Sequence, residues 1–335
     1  MSEPLVTIVV TQRERFAIAE RSLRSLYQTA DLPFRLVYID GRSPAREKRL
    51  LARLANQEGF DLRRYEEYLP PNVARNFGLA RVQTRYVVFV DNDVVFEPGW
   101  LSALVRCAEE TGADLVTPLI CIGDPAEPPS VRIHFAGGTM HIEEQPDGTH
   151  FSDRHNLSGK VRDQVSDQLE RQHSDSVEFH CVLARMSLFD KIGPLDEELR
   201  ATSEHLDLCL LTRQHGGKVY FEPSAVVTYV IGPPLKLSEL PFFGVRWSDS
   251  WALHSEVRFH QKWGLVWHSA VMRFVRKRRL LGFYKTWKRL ETVVGEYRGR
   301  WLTGLLFEAC AWCGRRFAMR GTGGPIAPED VLRQR

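Results

Sequence analysis

The sequence predicts an α/β protein with a mixed, mainly parallel sheet flanked by helices and a helical carboxyl-terminal extension. Three observations predict this fold class. Short β-branched runs alternate with segments of helical periodicity from residue 5 to about residue 120, which is the pattern of strands joined by crossover helices. One run, YVVFV at residues 86–90, is apolar on both faces, as a strand buried in a parallel sheet must be. The chain has 335 residues and is 43% hydrophobic, enough to bury a large core.

Strand and helix predictions alternate along the first third of the chain. The predicted strands are residues 5–11, 34–40, 62–66, 86–90 and 114–120, and the predicted helices are residues 14–29, 45–57, 72–82 and 98–111. Most of these strands are rich in Val, Ile, Tyr or Phe, and the helices repeat apolar residues at intervals of three and four. Because neighbouring parallel strands need a long crossover connection, this alternation predicts a parallel sheet.

The middle of the chain is less regular. Residues 123–174 are polar and contain paired glycines and prolines, which predicts a hairpin around residues 132–142 within a long, partly mobile insertion. Regular structure is predicted again at residues 177–185, as a helix at residues 203–215, and as a strand at residues 218–229 that Pro223 splits.

The last hundred residues differ in composition, so we predict a first domain at residues 1–232 and a helical region at residues 233–335. Seven of the eight tryptophans lie between residues 247 and 312, and residues 262–320 carry 14 basic and three acidic side chains. Helices of this composition lie on anionic membrane surfaces. Equally, the tryptophans can pack the helices against the first domain while Arg and Lys stay in solvent. No recognised nucleic-acid-binding motif accompanies the charge, so no nucleic-acid partner is expected.

The amino-terminal residues and the hydropathy bear on location. The start, MSEPLVTIVV, has no basic leader and turns at once into a predicted strand. No uncharged apolar run approaches the roughly 20 residues that a membrane-spanning helix needs. We expect a cytoplasmic protein, either free or attached peripherally to the inner face of the membrane.

The first candidate site follows the YVVFV strand, where the sequence reads Asp91-Asn92-Asp93. In an extended segment the side chains of Asp91 and Asp93 point the same way and Asn92 points elsewhere. Two carboxylates about 5 Å apart repel by roughly 3 kcal/mol at an effective dielectric of about 20, and a divalent cation reverses the sign of that interaction. A site that offers a few oxygen ligands and leaves other coordination positions open suits Mg²⁺ or Mn²⁺. The alternative is a turn that caps the next helix.

Several separated segments carry a family resemblance. VTIVVTQRERFAIAERSLRSLYQ, LVYIDGRS and NVARNFGLARVQTRYVVFVDNDVVFEPGWL occur in this order. Together they resemble the nucleotide-diphospho-sugar transferase domain of the family 2 glycosyltransferases, which have the Rossmann-like GT-A fold. The resemblance covers about residues 4–230.

The resemblance implies roles on the donor side. Thr11 would meet the base and ribose, Asp40 would hydrogen-bond the nucleobase, and Arg75, with Asn76 and Gly78 of the same motif, would contact the nucleotide. Asp91 and Asp93 match the DxD metal signature, with Asp93 the direct ligand and Asp91 the contact to ribose or a metal-bound water. Asn92 between them is counted among the donor-side residues. Ordinary strand-end turns and solvated helices are the alternatives for these positions.

A later region, FHCVLARMSLFDKIGPLDEEL and TSEHLDLCLLTRQHGGKVYFEPSAVVTY, is similar to the acceptor-side half of the same family. The family pattern ends in an acidic pair that supplies the catalytic base. Here the residues are Glu204-His205 followed by Asp207, and we rank them as base candidates in the order Glu204, Asp207, His205. Glu204 and Asp207 are three apart and share a helix face. The alternative is a solvated helix start with acids at its amino end.

A second departure concerns the histidine that many family members place at the end of the last strand. This chain has Thr228 and Tyr229 there. Metal binding would then rest largely on Asp93, or on a later residue such as His254 or Asp249. His180 lies just before Cys181 on the predicted acceptor-side strand and would either line the acceptor pocket or be a packed structural residue.

The predicted function is transfer of a sugar from a UDP- or GDP-linked donor to a hydroxyl acceptor, which would be a glycan, a lipid-linked molecule or a small molecule. Inversion at the anomeric carbon is what the resemblance implies. A nucleotidyltransferase would carry a Gly-rich phosphate loop after its first strand, and TQRERF has no glycine. The alternative from another class is a non-catalytic GT-A-like domain that binds nucleotide or glycan as a scaffold.

Overall fold

A ten-stranded mixed sheet forms the centre of the molecule, as seen in a computed structural model that describes residues 3–128, 131–231, 235–267 and 270–320. Its strands are β1 (Val6–Thr11), β2 (Phe34–Gly41), β3 (Asp61–Tyr65), β4 (Tyr86–Asp91), β5 (Val94–Phe96), β6 (Leu115–Gly123), β7 (Arg132–Phe135), β10 (Gln172–His173), β11 (Cys181–Arg185) and β12 (Val219–Val230). Strands β8 (Gly138–Gln145) and β9 (Gly148–His155) form a separate antiparallel hairpin.

Eight of the sheet strands follow the order β10-β12-β6-β11-β4-β1-β2-β3, while β5 pairs with β12 and β7 with β6. The pairs β1–β2, β1–β4, β2–β3 and β6–β12 are parallel. Strand β11 runs antiparallel to both of its neighbours, β4 and β6. The predicted class of a mixed, mainly parallel sheet flanked by helices is confirmed.

Helices cover both faces of the sheet and continue to the end of the described chain. They are α1 (Ala19–Thr29), α2 (Ala45–Glu58), α3 (Pro71–Leu79), α4 (Trp100–Thr111), α5 (Met186–Ile192), α6 (Glu204–Gln214), α7 (Leu240–Arg246), α8 (Asp249–Trp263), α9 (Ala270–Gly282), α10 (Tyr284–Val294) and α11 (Glu296–Arg315). One face of the sheet packs against α1, α2 and α4 and the other against α3, α5 and α6.

Gly78 shows how tightly α3 packs on the sheet. A Cβ atom at this position would lie 2.2 Å from Val9 Cγ1. Because no side chain fits there, glycine lets the helix that carries Arg75 approach β1 closely.

Three of the local predictions are corrected. The predicted helix at residues 14–29 begins with a 3-10 turn at Phe16–Ile18, and α1 starts only at Ala19. Pro223 does not split β12; the pairing with β6 shifts register between Glu222 and Val226 and continues, since an irregular register leaves proline without a hydrogen bond to donate.

The third correction concerns the hairpin predicted around residues 132–142. Strand β7 pairs with β6 instead, and β8 pairs with β9. The stretch predicted as a long, partly mobile insertion therefore carries strands β7 to β10, except that residues 129 and 130 lie outside the described residues.

The carboxyl-terminal helices pack directly on the sheet domain. Phe242 of α7 lies against Phe16 and Tyr68, with ring centroids 5.4 and 5.0 Å apart. The backbone of Tyr68 also accepts a hydrogen bond from Met319 N at 3.1 Å. The predicted boundary at residue 232 lies outside the described residues. On both sides of it, however, the two predicted regions share a buried cluster.

The tryptophans of this region divide between the two predicted roles. Trp247 and Trp251 are buried, whereas Trp301 and Trp312 on α11 are more than half exposed. Within the described residues, every helix is either too short or too polar to cross a bilayer.

Candidate active site

The register of the parallel strands assembles the candidate donor-side residues at one edge of the sheet. Thr11 at the end of β1 is in register with both Ile39 of β2 and Asp91 of β4. Asp40 follows Ile39 directly. The carboxyl edge of a parallel sheet is where ligands of open α/β folds bind, and the strand register places Thr11, Asp40 and Asp91 together at this edge.

Asp91, Asp93 and His180 form a compact cluster at this edge. The antiparallel register pairs Cys181 with Val90, which brings His180 beside Asp91. One potential ligand atom from each of the three residues lies within 4.8 Å of the other two. His180 Nδ1 is 3.2 Å from Asp91 Oδ2, and its ring stacks on Tyr229 with centroids 4.4 Å apart. The cluster is therefore held by strands β4, β11 and β12.

The two carboxylates of the cluster differ in environment. Burial acts to raise the pKa of Asp91, but the hydrogen bond from His180 and the charge of Arg13 hold it well below its usual range. Both oxygens of Asp93 are buried without a hydrogen-bond partner. Burial, together with the charges of Asp91 and Glu14, raises the pKa of Asp93 despite nearby Arg13. Of the two carboxylates, Asp93 is therefore the one that lacks hydrogen-bond partners for its charge.

The donor set suits a divalent cation. Two carboxylates and one imidazole are ligands that Mn²⁺ accepts, and a small oxygen-rich set leaves positions for phosphate oxygens. A buried carboxylate with no hydrogen-bond partner is costly unless something positive meets it. Asp93 meets this criterion, and so the residues fit Mn²⁺ or Mg²⁺ at the position predicted from the DxD signature.

Arg13 covers the cluster from the segment between β1 and α1. Its guanidinium donates to Asp91 Oδ2 at 2.9 Å and lies 3.2 Å from the ring nitrogens of His180. The next residue, Glu14, is 1% exposed and binds Arg278 of α9 at 2.7 Å and Arg246 of α7 at 3.3 Å. Arg278 also donates to the Tyr229 hydroxyl at 3.0 Å. Two carboxyl-terminal helices thus reach the candidate site through ion pairs.

Asn92 and Asp40 organise the loops around the cluster. Asn92 Oδ1 accepts from Arg13 N at 2.7 Å, and its amide donates to Arg15 O at 3.2 Å. Asp40 is buried and accepts from Ser43 N at 2.8 Å and from Arg64 at 2.5 Å, and Gln12 donates to the same carboxylate. Both side chains therefore hold the backbone of the loops that border the cluster.

Arg75 connects the two halves of the site. This buried guanidinium lies 3.7 Å from Asp91 and 3.8 Å from Glu204, and it stacks over the Phe179 ring at 3.7 Å. Burial lowers the pKa of Arg75 to about 10, although the negative charges of Asp91 and Glu204 act to raise it. Its neighbour Asn76 is engaged elsewhere, donating to Leu195 O and to Glu197 at 2.9 Å. Arg75 is therefore the predicted helix residue that the structure places at the cluster.

The three base candidates occupy different surroundings. Glu204 opens α6 and faces Arg75. Asp207 is bound by Lys262 at 2.8 Å and by the Trp263 indole at 2.9 Å, and burial raises its pKa. His205 lies 3.8 Å from Glu178. The shared face predicted for Glu204 and Asp207 does not give them a shared environment, because α8 supplies partners for Asp207.

Helix α8 also fixes the backbone that precedes Glu204. Ser255 accepts hydrogen bonds from the backbone of Arg200 and Ala201 at 2.8 and 3.0 Å. Ser203, the residue before α6, has a left-handed backbone with φ of 63° and donates its hydroxyl to Glu256 at 2.7 Å. A non-glycine residue in this conformation persists only where its surroundings enforce it. The start of α6 is thus a constrained segment.

The two substitutes considered for the missing terminal histidine lie outside the cluster. His254 pairs with Glu198, and Asp249 pairs with Arg279. The imidazole that lies beside Asp91 and Asp93 belongs to His180, which the sequence indicated only as a residue of the acceptor pocket or of the core. Sequence reasoning missed Arg13 and Arg278. The single signal for Arg13 was its place directly after the first strand.

Comparisons with known proteins bear on the family and the fold of this chain. The family model "Glycosyl transferase family 2" matches residues 7–192. The uncharacterized protein y4gI of Sinorhizobium fredii is 27% identical over 229 residues, which are 66% of this chain and 24% of the relative. The pre-mycofactocin glycosyltransferase of Mycobacterium tuberculosis is 25% identical over 159 residues, 48% of this chain and 30% of the relative. This chain therefore spans about a quarter to a third of the length of these curated relatives.

Among solved structures, GalNAc-T7 with UDP, GalNAc and Mn²⁺ aligns with a TM-score of 0.53 and 16% sequence identity. The alignment covers 83% of this chain and 55% of GalNAc-T7. At this identity the likeness concerns the fold, and it extends the match beyond the sheet into the carboxyl-terminal helices.

Proposed function

Because this chain belongs to glycosyl transferase family 2, whose model covers residues 7–192, we propose that it transfers a sugar from a UDP- or GDP-linked donor to a hydroxyl acceptor. The observation that carries the proposal is the buried trio Asp91, Asp93 and His180 at the carboxyl edge of the sheet, with both oxygens of Asp93 lacking a partner. A nucleotide diphosphate binds together with a divalent cation, and that cation supplies the positive charge that Asp93 lacks.

Asp91, Asp93 and His180 would hold Mn²⁺ or Mg²⁺ in this proposal. When bound, the ion neutralises charge that develops on the departing nucleoside diphosphate. GalNAc-T7, which shares the fold, was solved with UDP and Mn²⁺, and this supports a divalent ion in a site of this kind. Arg13 and Arg75 add fixed positive charge beside the same carboxylate, Asp91.

On the donor side we assign Thr11, Asp40 and Arg75 to the nucleotide. Thr11 and Asp40 end adjacent parallel strands, and Arg75 approaches from α3. Asp40 can accept from a nucleobase once Gln12 or Arg64 releases one of its oxygens. Asn76 and Asn92 act as positioning residues, because their amides already hold the 195–197 and 13–15 segments.

On the acceptor side we assign Glu204 as the general base, with inversion at the anomeric carbon. The carboxylate would accept the proton of the acceptor hydroxyl as its oxygen attacks, a contribution of about 10²- to 10⁴-fold in rate. Arg75, 3.8 Å away, holds Glu204 in reach of the donor side. The acceptor class remains a glycan, a lipid-linked molecule or a small molecule with a hydroxyl group.

A surface of α11 supports a membrane location for this reaction. Tyr297, Trp301, Leu305 and Trp312 lie on one stripe of the helix and are each at least half exposed. The surrounding residues 262–320 carry the excess of positive charge. We propose that this stripe, called here the α11 stripe, rests on an anionic lipid surface.

The test of the proposed reaction is turnover of a panel of UDP- and GDP-sugars by the purified chain with Mn²⁺. Release of free nucleoside diphosphate, without and with candidate hydroxyl acceptors, would be measured. We expect one donor to be consumed, activity to disappear with EDTA, and Asp93→Ala to abolish it. Asp249→Ala is the matched control, since Asp249 is an acid outside the cluster that pairs with Arg279. Nucleotide binding without turnover of any donor would instead favour the non-catalytic scaffold.

A further inference from the structure

A second group of metal-ligating side chains lies beside the candidate active site and takes no part in the roles assigned so far. One potential ligand atom each from His134, His155 and Glu178 falls within 4.8 Å of the other two, and the same holds for Asp153, His155 and His205. His155 is common to both trios. The closest pair is His155 Nε2 and Glu178 Oε1 at 3.4 Å, and His205 Nε2 lies 3.8 Å from the same oxygen.

We propose that His134, His155 and Glu178 bind one Zn²⁺ ion at a site separate from the Asp91–Asp93–His180 cluster, with His205 as the fourth ligand once its side chain turns toward Glu178. Imidazoles with one carboxylate are ligands that favour zinc, whereas the cluster with two carboxylates suits Mn²⁺ or Mg²⁺. Bonds of about 2.0–2.1 Å in a tetrahedral site place ligand atoms roughly 3.3–3.4 Å apart. The distance between His155 and Glu178 already matches this. His134, within 4.8 Å of the other two ligand atoms of its trio, and His205, 3.8 Å from Glu178, must rotate toward the ion.

The four residues come from four separate elements of the chain. His134 lies in β7, His155 ends the β8–β9 hairpin, Glu178 precedes β11, and His205 is the second residue of α6. The His155, Glu178 and His205 side chains are 23%, 13% and 20% exposed. An ion can therefore reach the site from solvent, while its ligands are packed well enough to be pre-positioned.

The bound ion would affect the candidate active site by fixing where the residues next to it lie. Glu178 is two residues before His180, and His205 directly follows Glu204. A single ion bonded to both would fix the spacing between the candidate cation cluster and the candidate base. This positioning role rests on the proposed function, but zinc binding itself does not, since it requires neither donor nor acceptor.

The experiment measures Zn²⁺ binding to the metal-stripped full chain by competition with a chromogenic chelator, in the absence of nucleotide. We expect one tight equivalent in the unmodified chain. His155→Ala should weaken it by at least about 100-fold, because ligand loss exceeds the 10- to 100-fold effect of losing an outer-shell partner. His141→Ala is the matched control, an exposed histidine on the same hairpin, and should bind zinc as the unmodified chain does.

Asp93→Asn separates this proposal from the proposed function. Loss of nucleotide-dependent turnover with zinc binding intact supports two separate sites, whereas loss of zinc in Asp93→Asn would place the ion in the cluster and overturn the second site. Absence of tight zinc binding in the unmodified chain, or equal binding in His155→Ala, would also overturn it. If His155→Ala does not fold, Glu178→Gln replaces it, since it keeps the shape of the side chain. Independently, the absorption spectrum of Co²⁺ bound to the unmodified chain shows whether the ligands are tetrahedral. An octahedral spectrum would contradict the proposal.

Discussion

Glu204 and Asp207 can be told apart by substitution because their partners differ. Glu204 faces Arg75 at the candidate site, whereas Asp207 is bound by Lys262 and the Trp263 indole. We expect Glu204→Gln to lower kcat by about 10²- to 10⁴-fold, as removal of a general base does, with the Kd for the nucleotide donor changed little. The measurements are steady-state kinetics and calorimetric titration of the donor.

Asp207→Asn is the matched comparison, since it removes the same charge one turn further along α6. We expect a loss of stability, because Lys262 would lose the more buried of its two carboxylate partners and keep only Asp196, and a much smaller change in kcat. If Asp207→Asn lost the larger share of kcat while remaining folded, the assignment of the base would pass to Asp207.

The sequence predicts some of the site residues and misses others for a physical reason. Asp91 and Asp93 follow a buried strand, so their position at the carboxyl edge can be predicted from the chain alone. His180 reaches Asp91 through an antiparallel pairing of strands about 90 positions apart in sequence, and Arg278 reaches Glu14 across 264 positions. Contacts at that separation depend on strand order and helix packing, which no local pattern contains.

Glu14 is predicted to stabilise the fold in a pH-dependent way. Burial acts to raise its pKa, but Arg278, Arg13 and Arg246 hold it well below its usual range. Ionised Glu14 therefore stabilises the folded state above the unfolded carboxyl pKa of about 4.3, and this stabilisation is lost as the pH falls below that value. We expect Glu14→Gln to cost about 3 to 5 kcal/mol at pH 7, and less at pH 4.

Urea unfolding followed by tryptophan fluorescence at both pH values gives the comparison. Glu127→Gln, at an exposed glutamate in the turn after β6, should leave the free energy of unfolding nearly unchanged at either pH. An equal cost of Glu14→Gln at pH 7 and pH 4 would show that lost packing, not charge, accounts for the effect.

At the scale of elements, five of the first six strands and the first four helices follow from periodicity. Strand β5 was not predicted, and the other errors occur where pairing is decided between distant parts of the chain. Strand β7 was assigned to a hairpin because Gly137 and Gly138 look like a turn, but β6 offers it a longer-range partner. The turn that does close the hairpin is Pro146-Asp147-Gly148, a sequence with strong turn preference. That signal was present in the sequence and could have given the β8–β9 pairing.

The segment between β1 and α1 closes the candidate cation site. Asp91, Asp93 and His180 are each less than 5% exposed, so a nucleotide can enter only if Arg13 and its neighbours move. Arg13 and Asp91, 2.9 Å apart, attract by roughly 5–6 kcal/mol at an effective dielectric of about 20. Part of that attraction opposes binding of a cation to the same carboxylate.

Arg13→Ala should therefore bind Mn²⁺ more tightly than the unmodified chain when no nucleotide is present. We expect a gain on the order of tenfold, smaller than the full pair energy because water replaces the guanidinium. Electron paramagnetic resonance of free Mn²⁺ measures it. Arg24→Ala, which removes an exposed arginine of α1 paired with Glu20, is the control and should leave the affinity unchanged. Weaker binding in Arg13→Ala would mean that Arg13 holds the site together.

At the scale of the whole molecule, composition allowed two roles for the carboxyl-terminal helices, packing on the sheet domain and contact with a membrane surface. The structure has buried side chains for the first and exposed ones for the second. Trp251 packs in one cluster with Phe16 and Tyr68 of the sheet domain, and Trp247 packs among the carboxyl-terminal helices while its indole donates to Glu14. The charged side chains of Arg278, Lys262 and Glu256 bind Glu14, Asp207 and Ser203. Division of the chain near residue 232 would therefore expose the cluster shared by Phe16, Phe242 and Trp251. The sequence predicted helices here, but it could not divide the tryptophans between interior and surface.

The α11 stripe gives the last prediction. Tyr297, Trp301, Leu305 and Trp312 are spaced so that their side chains share one face of a 20-residue helix. Aromatic side chains on such a face sit at the headgroup level of a bilayer, and nearby Arg and Lys add about 1 kcal/mol each near anionic lipid. We expect the chain to bind vesicles of phosphatidylcholine with about 30% phosphatidylserine, and to be released as ionic strength rises.

Co-sedimentation of the unmodified chain and two variants with these vesicles checks the stripe. The double change Trp301→Ser and Trp312→Ser should weaken binding by more than about tenfold, since burying one large apolar side chain contributes about 1.5–3 kcal/mol. Ile142→Ser, which removes an exposed apolar side chain from the β8–β9 hairpin instead, should bind as the unmodified chain does. Equal loss in both variants would mean that the membrane recognises no particular face of the protein. Unchanged binding in the double variant would mean that basic charge alone attracts the chain to lipid and that the α11 stripe does not contact the membrane.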